Sequence, residues 1–189
     1  MPVWLVIIIG YLLGSVPTAY LTGRILKSRD IRQIGDENAG AANVYRELGA
    51  RAGVVVGIID AAKGAAVILI AQASNMSQIV VLFTGLAAVI GHNWPVFLGF
   101  RGGRGVSTTI GILLVLVTLP MLILALPTLL ILILRRNVTP SMAFLFIALP
   151  LVDWWLTVPG VLIAYGIALP ALTGITTFFR TRPKAIRQA

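Results

Sequence analysis

The chain has 189 residues, of which 58% are hydrophobic and only 11% charged, with 15 lysines and arginines against 6 acids for a net charge of +9. Such a composition excludes an ordinary soluble domain and reads as an integral membrane protein. Cysteine is absent, which excludes a disulfide framework or thiolate metal site, and one histidine with scattered acids argues against a protein-built metal centre.

Hydropathy predicts a first span over about 3–23. It lacks a basic leading region and its apolar part is too long for a cleaved signal, so it reads as retained. The longest polar segment, 24–51, follows with Arg24, Lys27, Arg29, Arg32, Arg46 and Arg51. The second span, about 52–73, carries Asp60 and Lys63 near its middle. A charge there costs roughly 2.5–3.5 kcal/mol on insertion scales. Their i, i+3 spacing lets the two pair on one face, either as a structural lock or as the lining of a polar cavity.

An uncharged link, 74–78, should face outward before a third span over about 79–98 returns past His92 to Arg101 and Arg104. Residues 106–134 are apolar for too long to form one helix and contain Pro120 and Pro127, which predicts two short spans joined near Pro120. They end at Arg135-Arg136. A short sixth span, about 141–152, meets Asp153-Trp154-Trp155, read as an acid with interfacial aromatics. The seventh, about 156–179, leads into a basic tail, 180–189, with Arg180, Arg182, Lys184 and Arg187.

The fold expected is a compact all-α bundle of about seven transmembrane helices, some short, forming one membrane-embedded domain over 1–189. Five or six spans result if a short one is re-entrant. The N-terminus lies outside and the C-terminus in the cytoplasm. Every cation except Lys63 then falls in four cytoplasmic segments, the positive-inside pattern rather than a nucleic-acid face. No internal repeat supports an inverted-repeat transporter.

Two loops on that side carry chemistry. In 99–105, Gly102-Gly103-Arg104-Gly105 opens directly into an apolar helix. Glycines can turn backbone N–H groups toward an anion, the helix N-terminus adds positive potential, and arginine supplies a forked cation, which together suit a phosphate. In 24–51, Gly35 to Asn43 is rich in small and amide residues, with Arg46 one turn on; Asn43 reads as a helix N-cap or a ligand-orienting amide. His92, at a span terminus, suits general acid/base work or a structural hydrogen bond.

The chain resembles the bacterial acyl-phosphate-dependent glycerol-3-phosphate acyltransferases of the PlsY type. The matching residues are Gly14-Ser15, Pro17 and Tyr20; Gly35, Asn38, Gly40-Ala41, Asn43 and Arg46; and Asp60 to Gly64. Further along they are Gly91-His92, Pro95 to Phe97, Phe100, Gly102-Gly103, Gly105-Val106 and Thr108. The likeness is specific over residues 10–110 and weaker beyond, where Arg180, Arg182 and Arg187 carry it. It implies transfer of a fatty acyl group from acyl phosphate to the 1-hydroxyl of glycerol 3-phosphate, at the cytoplasmic face of the bacterial plasma membrane. The products are lysophosphatidate and phosphate, without cofactor or metal. The implied partners are the two substrates and the bilayer, with a monomer sufficient. The catalytic candidates are His92, Lys63 and Arg46. Substrate and phosphate binding would fall to Asn38, Gly40, Asn43, Arg46, Gly102, Gly103, Arg104, Gly105, Thr108 and Ser141.

The departures are local. Asp36 and Glu37 stand where the family has serine and glycine, and Ala42 replaces a threonine. Arg101 and Arg104 replace lysines, Thr139 to Met142 replace a Ser-Leu-x-Ser run, and Thr181 and Lys184 replace a histidine and an asparagine. They leave open a paralogue acting on another phosphorylated acceptor, an inactive one, or a non-catalytic binder of anionic lipid.

Overall fold

The structure, a computed structural model, describes residues 1–181, without the side chain of Thr181; Arg182, Lys184 and Arg187 lie outside the described residues. Those residues form nine α-helices and two short 3-10 turns, with no strand. They are α1 (Val3–Gly14), α2 (Thr18–Lys27), α3 (Ala41–Leu48), α4 (Ala50–Ala73), α5 (Gln78–Asn93), α6 (Val106–Leu116), α7 (Thr118–Arg135), α8 (Val138–Trp155) and α9 (Gly160–Thr181). Six segments are long and apolar enough to cross a membrane, α1 and α2 counting as one of them. Helix α6 is the seventh membrane element, but its 11 residues rise only about 16 Å, roughly half the hydrocarbon thickness.

Span one is broken, not continuous as expected. Pro17 has no N–H for the carbonyl four residues back, so Val16 N–H bonds Leu13 instead and the axis restarts at Thr18. The joint between α6 and α7 falls at Val117, near Pro120 as expected, whereas Pro127 lies inside α7 without dividing it. Pro120 sits in the first turn of α7 and Pro140 in the first turn of α8, where a missing N–H costs nothing. Pro140 thereby lets α8 start earlier than the sequence suggests, capped by the Asn137 side chain, which accepts from Thr139 N–H.

Helix contacts rest on small residues, as expected where lipid supplies no hydrophobic drive between helices. Gly10 and Gly14 of α1 lie against the Thr84 and Ala88 carbonyls of α5, and Gly64 of α4 and Gly111 of α6 lie against the Thr108 and Ala61 carbonyls. Val6, Val67, Ile68, Val89, Ile112 and Leu169 fill the centre, with α1, α4, α5, α6 and α9 around them. A second cluster, including Leu113, Met121, Leu145 and Leu149, joins α6, α7 and α8. Leu126, Ile147, Trp154 and Trp155 are exposed on the outside, a face suited to lipid.

Asp153, at the end of α8, turns inward rather than outward with its neighbours. It is fully buried against Gly166 of α9, and neither carboxylate oxygen has a hydrogen-bond partner among the described residues. The two tryptophans beside it do face outward.

Candidate active site

The polar segments converge at one end of the bundle through their own side chains. Arg32 donates to both carboxylate oxygens of Asp30, from 2.7 to 3.2 Å, and to the Leu98 carbonyl at 3.0 Å while lying over the Tyr20 ring. The hydrogen bonds from Arg32 hold the Asp30 carboxyl below its ordinary range against the opposing effect of burial. Arg180, near the end of α9, donates to the carbonyls of Gly102, Gly103 and Asn93 at 2.5–2.7 Å and stacks over Trp94. One guanidinium thus latches the last span onto the glycine loop.

Asn43 organises the 31–38 segment from within. It is fully buried; its amide nitrogen reaches the Ile31, Ile34 and Asn38 carbonyls, and its oxygen accepts from Asp36 N–H. This corrects two expectations. Gly40, not Asn43, occupies the N-cap position of α3, and the Asn43 amide is engaged with backbone rather than open to a ligand. Gly40 leaves room for the Asn38 amide, whose oxygen is buried without a hydrogen-bond partner among the described residues.

The glycine loop behaves differently from the anion cradle expected. Gly102 N–H donates to Asn93 and Gly103 N–H to His92, closing the C-terminus of α5, so neither amide is open to phosphate. Their lack of side chains is a matter of space: a Cβ on Gly103 would meet His92 Nε2, and one on Gly102 would meet the His92 carbonyl and Pro95. Gly105 is a left-handed cap at φ +80° packed on Asn93 and Val89. The cation Arg104 does project usefully, with Nη2 3.2 Å from Asp36 Oδ2.

That Asp36 oxygen also lies 2.8 Å from Arg46 Nη2, so a single carboxylate oxygen bridges Arg46 and Arg104. The bridge borders a hollow of about 530 Å³ whose lining includes Asp30, Arg32, Asp36, Glu37, Asn38, Arg101, Arg104 and Arg180. Adjoining it is a narrow cleft of about 10 Å³ with Asp60, Lys63 and His92 in its wall, together with the break in span one at Ser15 to Thr18. Gly102 belongs to both linings.

In the cleft, Asp60 Oδ1 lies 2.9 Å from Lys63 Nζ and 3.8 Å from His92 Nδ1, all three side chains being buried. Lys63 also donates to the Val16 carbonyl at 3.0 Å, an acceptor placed by the Pro17 break. The pair left open by the sequence is therefore both a lock between α4 and span one and a cavity lining.

Arg46, Gly40, Asn43 and Gly105 line neither space, and neither do two further expected site residues. Thr108 is fully buried where α6 meets Gly64 of α4, and Ser141 donates to the Asn137 carbonyl within α8; neither lines the hollow or the cleft. Sequence reasoning missed Arg32 and Arg180 as site residues. The stretch Asp30-Ile31-Arg32 offered a local i, i+2 charge signal for the first, whereas the three carbonyls that engage Arg180 are backbone atoms, which no side-chain pattern reveals.

Known proteins share this arrangement over nearly its whole length. A family model described as glycerol-3-phosphate acyltransferase matches residues 4–188. A glycerol-3-phosphate acyltransferase of Dehalococcoides mccartyi is 47% identical over 178 residues, covering 94% of this chain and 96% of the relative. One from Moorella thermoacetica is 37% identical, covering 89% and 88%. The crystal structure of PlsY, an integral membrane glycerol 3-phosphate acyltransferase, in its glycerol 3-phosphate form superposes with a TM-score of 0.81 at 34% identity, covering 98% of this chain and 91% of that one. Its lysophosphatidic acid form gives 0.78 at 33%. With a multi-pass fold, an arginine-lined hollow and matches in sequence and structure from end to end, the chain belongs to the glycerol-3-phosphate acyltransferase family.

Proposed function

We propose that the chain transfers a fatty acyl group from acyl phosphate to the 1-hydroxyl of glycerol 3-phosphate on the cytoplasmic side of the bacterial inner membrane. The observation that carries this reading is the adjacency of two unlike spaces: a cation-lined hollow suited to phosphate, and behind it a buried cleft with a histidine and an ion pair. The cytoplasmic side is supported by the gathering of arginines at that end.

Acyl phosphate is a mixed anhydride. The hydroxyl oxygen bonds to the acyl carbonyl carbon, the bond from that carbon to the phosphate oxygen breaks, and the hydroxyl proton ends on the released phosphate. No oxidant, metal or covalent enzyme intermediate enters the balance. The protein contributes position and charge stabilisation. Arg104 and Arg46 take the acceptor phosphate, and the Asn38 oxygen, without a partner among the described residues, accepts from a glycerol hydroxyl. Lys63 stabilises the oxyanion that develops on the acyl carbonyl, while His92 polarises the attacking hydroxyl. Asn43, Gly40, Gly102, Gly103 and Gly105 act from behind by shaping the loops, and the acyl chain lies along the apolar faces of the spans. One subunit suffices for all of this.

The test is purified protein in detergent supplied with palmitoyl phosphate and glycerol 3-phosphate. Acceptor-dependent release of phosphate and lysophosphatidate is expected, falling at least about 100-fold in Arg104→Ala, on the scale of one lost charge-stabilising donor. A folded, monodisperse sample that makes neither product overturns the reading.

A further inference from the structure

The Asp36 bridge has the form of an occupied anion site. Its Oδ2 is shared between Arg46 at 2.8 Å and Arg104 at 3.2 Å, the geometry in which one phosphate oxygen would be shared by two guanidiniums. Both arginines therefore already have a counter-ion before any ligand arrives. The carboxylate is held there by its backbone: Asp36 N–H donates to the buried Asn43 oxygen, and the flanking residues Gly35 and Glu37 both sit at positive φ, +62° and +58°. This tight turn fixes the Cα, so withdrawal of the carboxylate is a rotation of the side chain. That side chain is about a third exposed, so water is available to receive it.

We propose that Asp36 sets the affinity of the acceptor's phosphate site by occupying the gap between Arg46 and Arg104, so that a phosphate binds only by displacing or sharing that carboxylate. This rests on the assignment of Arg46 and Arg104 to the acceptor phosphate. An arriving dianion meets two cations and one anion in this gap, and the like charge opposes it at close range. Removing the carboxylate leaves both guanidiniums in place and without their internal partner. The competing idea, that Asp36 merely orders the two arginines, predicts the opposite sign, because arginines released from their partner would lose order and bind more weakly.

The experiment is equilibrium titration of the full-length protein in detergent with inorganic phosphate, then with glycerol 3-phosphate, for wild type, Asp36→Asn, Asp36→Ser and Asp36→Glu. The Asn and Ser variants should bind inorganic phosphate roughly tenfold more tightly, the scale of one to two exposed ion pairs no longer given up on binding. Asp36→Glu, which keeps the charge, should stay within about twofold of wild type. Thermal unfolding identifies any variant that has lost its fold, and the two neutral variants serve as independent replicates. Equal or weaker phosphate binding in the folded neutral variants overturns the proposal, as does equal tightening in Asp36→Glu. If phosphate tightens while glycerol 3-phosphate binds to none of the proteins, the gating role of Asp36 stands and the acceptor assignment falls.

Discussion

The buried pair of Asp60 and Lys63 offers a stability prediction whose size follows from its surroundings. The two atoms are 2.9 Å apart, with side-chain exposures of 2% and 9%. Coulomb's law at an effective dielectric constant of about 20 gives a gross attraction of roughly 6 kcal/mol, much of it offset by desolvation of the two ions. Lys63→Ala removes one partner and leaves a buried carboxylate alone, which should cost about 3–5 kcal/mol. It also deprives the Val16 carbonyl of its donor, a loss of about 1–3 kcal/mol contained within that figure. The double change Asp60→Leu with Lys63→Met removes both charges and keeps apolar volume, so only the carbonyl's loss should persist. Unfolding in detergent would then show the single variant melting on the order of 10 °C below wild type, with the double variant recovering more than half of that. A double variant as unstable as the two single changes added together would refute the argument, since it would mean that the side chains stabilise the bundle by packing and not by pairing.

Gly103→Ala should keep the fold yet lower turnover at least about tenfold, because the new methyl group meets the His92 ring and the Ala39 carbonyl; overpacking of this kind costs roughly 1–3 kcal/mol, visible as a modest drop in melting temperature. Arg180→Lys should lose nearly as much turnover and thermal stability as Arg180→Ala, since a lysine cannot fork to the carbonyls of Asn93, Gly102 and Gly103; recovery by lysine would sink the latch. Asp30, whose carboxyl is held low by Arg32, contributes stability that is present above its ordinary value near about 4 and lost as pH falls through the depressed folded value. Arg32→Gln should therefore narrow the difference in melting temperature between neutral pH and about pH 3, and an unchanged difference would show that the pair carries no linked stability.

Much of the fold is legible from two properties that are local in sequence, hydropathy and the placement of cations. Spans one to three and seven fall within a few residues of the helices that form them. The errors share a cause in how proline acts. Its missing N–H accompanies a break at Pro17, is harmless in a first turn, as at Pro120 and Pro140, and is tolerated inside α7, α8 and α9 at Pro127, Pro150 and Pro170. Which case applies depends on where the preceding helix stops, and that is decided by packing. The burial of Asp153 was hidden for a different reason: an acid next to two exposed tryptophans looks exposed itself until the roughly 100° turn per helical residue carries it inward, onto Gly166.

The residues gathered at the hollow and the cleft were legible only in part, since Thr108 and Ser141 line neither and Arg32 and Arg180 were missed. Glycine-rich runs mark close backbone approach, and such approach serves a ligand or a neighbouring helix equally well. At Gly102 and Gly103 the neighbour wins, because the open C-terminus of α5 leaves carbonyls that need donors and the loop amides are the donors at hand. Asn43 follows the same logic, since a buried loop of extended backbone carries carbonyls that only a buried side-chain amide can reach. Arg104 and Arg46 instead meet a carboxylate, and Lys63 beside His92 is shared between Asp60 and the Val16 carbonyl. Beside them stands Asp36, which the family resemblance alone reads as a defect in a phosphate site and which the proposal above reads as that site's own counter-ion. The two descriptions agree on composition and differ on sequence of events, because a counter-ion that withdraws leaves a phosphate site whole, whereas a missing ligand would leave it short.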